Sequence, residues 1–155
     1  MPVSRLADCK GNLIQGTLRR NILRSATPQS GDVIITEIFP DFSPAVALPA
    51  AEGIEVLNRS TKIQNLQDWT ISDGGSPATF GSIIIEPNEY VIICREDEAS
   101  LYENFGKVLG VSGFPGLNNG GDILTLSAPG AVIMDEVAYE DSWYADDEKN
   151  NGGWS

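Results

Sequence analysis

An all-β fold, a sandwich or barrel of short strands, is the class this chain of 155 residues predicts. Two observations predict it. Short runs of Val, Ile, Leu and aromatic residues recur between Asp32 and Tyr139. Gly, Pro, Asn or Asp breaks each run. The stretch from Glu96 to Phe105 breaks the β rhythm.

Each element follows in order. Asp32–Phe39 stops at Pro40 and is apolar on both faces except at Thr36 and Glu37, the pattern of a central strand. Phe42–Glu52 is a loop rich in Ala and Pro. Gly53–Asn58 alternates, with Ile54 and Val56 on one face and Glu55 and Leu57 on the other. Leu66–Ser72 is a short strand carrying Trp69, a core residue by this reading, and it enters the Asp73-Gly74-Gly75 turn. Thr79–Phe80 and Ile83–Ile85 come next, and Pro87-Asn88-Glu89 leads into Tyr90–Cys94. From Glu96 to Phe105 the acids come first and Leu101 and Phe105 stand four apart, which predicts one short helix near 97–105. Asn118–Asp122 is a tight turn, and Ala128-Pro129-Gly130 joins Ile123–Ser127 to Val132–Tyr139 as a hairpin.

The first 31 residues read differently. Asn12–Leu23 has the pattern of one or two edge strands, and Arg24–Gly31 is linker-like, with Pro28 and Gly31. The expected organisation is therefore a segment over 1–31, too short for its own core, and a domain over 32–155. No apolar run has the length of a membrane span, so membrane insertion is not expected. The first residues have no signal-peptide pattern. If the protein is exported, its signal lies upstream and both ends are boundaries of a piece of a longer chain.

The net charge of −12 is unevenly spread. Residues 1–31 hold five basic side chains against Asp8, a net of +4; residues 32–155 hold five basic and 21 acidic ones, a net of −16. An acidic body repels phosphate backbones, so nucleic acid is not an expected partner. A cation or a partner with a basic face suits it. Cys9 and Cys94 are too few for a disulfide framework, and Cys94 shares a strand face with Tyr90 and Ile92 as a small buried hydrophobe. With no histidine in the chain, Ser/His/Asp and Cys/His catalysis are excluded, and a structural zinc site is not expected.

The tail holds the richest constellation. Asp135, Glu136, Glu140, Asp141, Asp146, Asp147 and Glu148 lie close in sequence. Hard cations take several carboxylate and carbonyl oxygens, so Asp141, Asp146, Asp147 and Glu148 are the candidate metal ligands and Ca²⁺ the candidate ion. The spacing is not that of an EF-hand, and a solvated acidic loop is the plainer reading. Asn118–Asp122 and Asp73–Gly75 offer carboxylates and carbonyls too, though Asn and Gly are also what tight turns require. Trp143, Tyr144 and Trp154 are the candidate binding residues, as an aromatic platform for a sugar ring or a protein; the competing reading has Trp143 and Trp154 capping the open end of the sandwich. Glu37 and Glu55 interrupt strands that can lie side by side. Paired carboxylates serve glycoside hydrolysis, but ion pairing to Arg59, Lys62 or Arg95 explains them as well, and no cleft-forming insert accompanies them.

The ordered set of pieces resembles the bacterial lamin tail domain family. Ile34-Ile-Thr-Glu-Ile38, Glu55-Val-Leu-Asn58 and Leu66-Gln-Asp-Trp-Thr-Ile-Ser-Asp73 resemble its first three strands. Ile83–Ile85, Pro87 and Tyr90–Arg95 resemble the next two, and Leu117-Asn-Asn-Gly-Gly-Asp-Ile-Leu-Thr-Leu126 its most recognisable stretch. Asp135–Tyr139 and Gly152–Ser155 resemble its close, so the likeness runs from about Asp32 to Ser155. Leu6–Ile14 is similar to the end of a preceding bacterial immunoglobulin-like domain. The resemblance implies an immunoglobulin-like β-sandwich with no catalytic residues. It also implies an accessory module of a larger exported bacterial protein, extracellular or in the cell envelope, beside neighbouring domains of the parent chain. The expected function is non-catalytic adhesion or interaction, recognising a protein or cell-surface glycan through loops at one end of the sandwich. A calcium-dependent carbohydrate-binding module is the alternative. A hydrolase using Glu37 and Glu55 and a DNA-binding module are the remaining readings.

Overall fold

The computed structural model of the chain describes residues 27–46 and 48–144. Among the described residues ten strands follow one another: β1 Val33–Phe39, β2 Gly53–Asn58, β3 Gln64–Asn65, β4 Thr70–Ser72, β5 Ala78–Thr79, β6 Ile84–Ile85, β7 Tyr90–Arg95, β8 Val108–Val111, β9 Gly121–Ala128 and β10 Val132–Glu140. They form two four-stranded sheets, ordered β1-β2-β7-β8 and β10-β9-β4-β5, with β3-β6 as a small third ladder. The pairs are antiparallel except β7 with β8.

The sheets face each other across the alternating apolar positions of their strands. Val33, Ile35, Ile54, Val56, Val91 and Ile93 point in from one sheet, and Ile71, Leu124, Leu126 and Met134 from the other. Trp69 joins them at 2% exposure, in the core as expected. It sits in the loop before β4, not on a strand: its amide bonds to Leu66 O and its carbonyl accepts from Phe80 N. Asn58 is wholly buried yet satisfied. Its Nδ2 donates to Lys62 O at 2.7 Å and Ile85 O at 3.1 Å, and its Oδ1 accepts from the amide and hydroxyl of Ser60.

The helical element expected near 97–105 is shorter than the sequence suggested. A 3-10 turn over Glu96–Glu98 runs into α1, Ala99–Tyr102. Tyr102, not Leu101 or Phe105, is the residue it buries, and those two are about half exposed. Tyr102 packs with Ala51 and Cys94 on the outer face of the first sheet, and its hydroxyl donates to Ala51 O at 2.7 Å. Cys94 thus lies on the face predicted for it, under the helix. Burial, with Glu98 and Asp97 nearby, pushes its thiol up to about 11.

The first strand is placed differently from the expectation. Among the described residues β1 is an outermost strand of its sheet, with β2 as its ladder partner. It is apolar on both faces for another reason: Val33 and Ile35 enter the core, while Phe39 on the outer face is buried beside Leu48, Tyr102 and Phe105. β8 was not legible in Lys107–Ser112, because one of its four residues is Gly and it pairs in parallel with a strand distant in sequence.

Candidate binding cleft

β1 and β10 are the outer strands of the two sheets on one side of the sandwich, and they meet there. Gly31 N donates to Met134 O at 2.8 Å, and Ile35 N donates to Asp135 Oδ2 at 2.8 Å. Asp135 also accepts from Glu136 N through Oδ1. These bonds stitch the first half of β1 to β10. Each strand then carries a bulge: pairing shifts at Thr36 in β1 and at Met134 in β10. Bulges bend a strand and increase its twist, and here the two edges separate beyond the stitch.

The separation is a cleft of about 430 Å³ lined by Ile35, Thr36, Glu37, Ile38, Pro40, Asn119, Val137, Tyr139, Glu140, Asp141 and Trp143. Its end is held by the Asn118–Asp122 turn. Tyr139 Oη donates to Asn118 O at 2.9 Å, and Asn118 Nδ2 donates to Asp122 Oδ2 at 2.6 Å. Gly121 is required there: its φ is +129°, and a Cβ would stand 2.6 Å from Tyr139 O. At that same end, where Glu140 pairs with Gly121, β10 runs into a 3-10 turn, Asp141–Tyr144, which places Trp143 at the rim with 63% of its surface exposed.

Trp143 therefore stands out in solvent and does not cap the sandwich. Tyr144 closes the same turn. Asp141 is exposed at the cleft. Trp154, Asp146, Asp147 and Glu148 lie outside the described residues. Among the described residues no three His, Cys, Asp or Glu side chains gather as metal ligands. Asp135 is occupied by backbone amides, and Glu136 Oε2 accepts from Thr125 Oγ1. The two turns weighed as cation sites spend their carboxylates on themselves: Asp122 on Asn118 and Ile123 N, and Asp73 on Gly75 N.

Glu37 and Glu55 do lie opposite each other, as their strands suggested. Glu55 Oε1 accepts from Thr36 Oγ1 at 2.7 Å. Among the described residues the ion pairs are Arg95 with Glu52 and Lys107 with Glu89, and neither Glu37 nor Glu55 is joined to Arg59, Lys62 or Arg95. Burial raises the Glu89 carboxyl, but the Glu86 amide and Lys107 outweigh it and hold the group below its ordinary value. At the end of the 3-10 turn, burial pushes the Glu98 carboxyl up despite the lowering effect of Arg95, with Asp97 and Glu52 adding to the rise.

Sequence reasoning missed Asp135 as a structural tie, and Asn119, Val137 and Tyr139 as cleft lining. One signal was present. Thr36 and Glu37, two adjacent polar residues inside an apolar strand, are both exposed, which is the mark of a bulge putting consecutive side chains on one face.

The geometry of two sheets with a hairpin-built edge has a family counterpart. The family model of the Lamin Tail Domain matches residues 26–141, more than half of the chain. The chain belongs to the lamin tail domain family. No curated protein matches it. Lamin tail domains have an immunoglobulin-like fold of structural and interaction type, and are not a known enzyme family. In this lamin tail domain the matched span starts just before β1 and ends at Asp141, on the rim of the cleft.

Proposed function

We propose that this lamin tail domain is a non-catalytic recognition module of a larger exported bacterial protein, working outside the cell or in the envelope, and that its partner is held in the cleft between β1 and β10. The observation that carries the reading is Trp143. A tryptophan with 63% of its surface exposed, beside a concave site with apolar walls, has the character of an interface anchor. The partner is a protein, and the acidic body argues against nucleic acid. A calcium-dependent glycan site is the second reading, favoured by Asp141 beside Trp143: a ring for stacking next to an oxygen ligand. No cofactor belongs to the first reading.

The test is binding of the full chain to peptide and glycan panels, with and without Ca²⁺, repeated on Trp143→Ala. The expected result is at least a ~10-fold loss of affinity for every saturable binder, with an unchanged melting temperature. Binders indifferent to Trp143→Ala would place recognition elsewhere. Binding confined to glycans and abolished by chelation selects the second reading.

A further inference from the structure

Resting on that reading of the cleft, we propose that its occupant is an extended peptide segment bearing Lys or Arg, which adds as a strand to the edge of β1 that no described strand covers. Beyond the bulge, pairing with β2 resumes at Glu37↔Glu55, followed by Ile38↔Ile54. Ile35 turns its amide away from β2, since that amide donates to Asp135. Thr36 and Glu37 together fill the next step of the alternation, so Ile38 again directs its N–H and C=O away from β2 and into the cleft. Among the described residues no strand pairs with β1 there. An exposed edge of this kind is a template for strand addition, in which the backbone supplies affinity and alternate side chains supply specificity. Pro40, which has no N–H, limits the edge to a short stretch.

Charge selects the chemistry of the guest. Glu37, Glu140 and Asp141 line the cleft, and no Lys or Arg is among its described lining residues. A guest with alternating basic side chains would set them against those carboxylates and the face of Trp143, which favours cations. Its other side chains would meet Ile38 and Val137. The acidic body of a second copy is a poor guest, because residues 32–155 carry −16 and like charges would face each other across the seam.

The experiment titrates the full chain with capped octapeptides alternating Lys and Thr. Three companions accompany them: a Glu/Thr version, and two Lys/Thr versions N-methylated on either the Lys or the Thr amides. The Lys/Thr peptide binds saturably and the Glu/Thr peptide does not. One N-methylated version loses at least ~10-fold and the other keeps its affinity, because alternate amides of a strand face opposite sides. Glu37→Gln, at an exposed position, weakens the Lys/Thr peptide several-fold, and Trp143→Ala does the same. Equal binding of both N-methylated peptides would overturn strand addition in favour of charge alone. Trp143-dependent binding of glycans but not peptides, or a Trp143-dependent dimer in sedimentation, would overturn the basic strand as guest and leave the cleft standing as the site. Peptide binding untouched by Trp143→Ala would overturn both.

Discussion

Asp135→Ala removes the carboxylate that ties β1 to β10. In the folded chain its Oδ2 accepts the Ile35 amide at 2.8 Å across a separation of 100 residues, in a partly buried setting. A hydrogen bond to a charged group contributes about 1.5–3 kcal/mol, and Ala leaves the Ile35 amide facing β10 without that acceptor. Local opening of the seam then becomes easier by that amount. With a tenfold change per ~1.4 kcal/mol, the Ile35 amide should exchange with solvent roughly 10–150 times faster. Amide exchange followed by NMR measures this directly. Val91 and Ile93, in the interior strand β7, serve as references, because their amides report global unfolding. Asp135→Asn keeps an acceptor oxygen and should fall between Ala and wild type. If Ile35 exchange changes by less than about threefold in Asp135→Ala, the stitch is not what holds the edges together, and the account of why the cleft begins where it does is wrong.

Three further outcomes are expected. Asn58→Leu strands the carbonyls of Lys62 and Ile85 and the Ser60 amide near the core, and should cost about 2–4 kcal/mol in urea unfolding; a loss below ~1 kcal/mol would mean that water satisfies those groups. Gly121→Ala meets Tyr139 O and should cost about 3 kcal/mol or more, while Gly130→Ala, with φ +83° and open space around it, should cost about 1–2 kcal/mol; equal penalties would remove the steric argument. The Cys94 thiol is raised in the fold, so the unfolded chain gives up that proton first: stability is full below the ordinary thiol value and declines as pH rises toward about 11. Denaturation followed from pH 8 upward checks the sign, and Cys94→Ala should flatten that part of the profile.

Local chemistry made much of this fold legible. Gly53–Asn58 is a strand with the predicted faces because Ile54 and Val56 alternate with Glu55, and such a period survives in any β context. The Asp73–Gly75 and Asn118–Asp122 turns formed where Asn, Asp and Gly made them cheap. The misreadings come mostly from contacts outside the element being read. β1 has the composition of a central strand because the Phe42–Glu52 side of the molecule and β10 cover it, and neither is encoded in its own seven residues. Tyr102 became the buried residue of the helical turn because Cys94 and Ala51 lie beneath it. The Leu101–Phe105 spacing needed a longer helix than four residues supply. The site was half visible. Trp143 and Asp141 were singled out from composition, but the cleft beside them arises from two bulges in strands about 100 residues apart, and one sequence shows each bulge only as a polar interruption.

The central claim is that recognition occurs along the seam where β1 and β10 part. Chemical-shift mapping of the ¹⁵N-labelled chain during titration with the Lys/Thr octapeptide tests it most directly. The account predicts a continuous trace over Thr36–Ile38, Asn119 and Val137–Trp143, with β5 and β6 unmoved. Shifts centred on the Thr70–Ser127 face of the second sheet, with the seam silent, would contradict it.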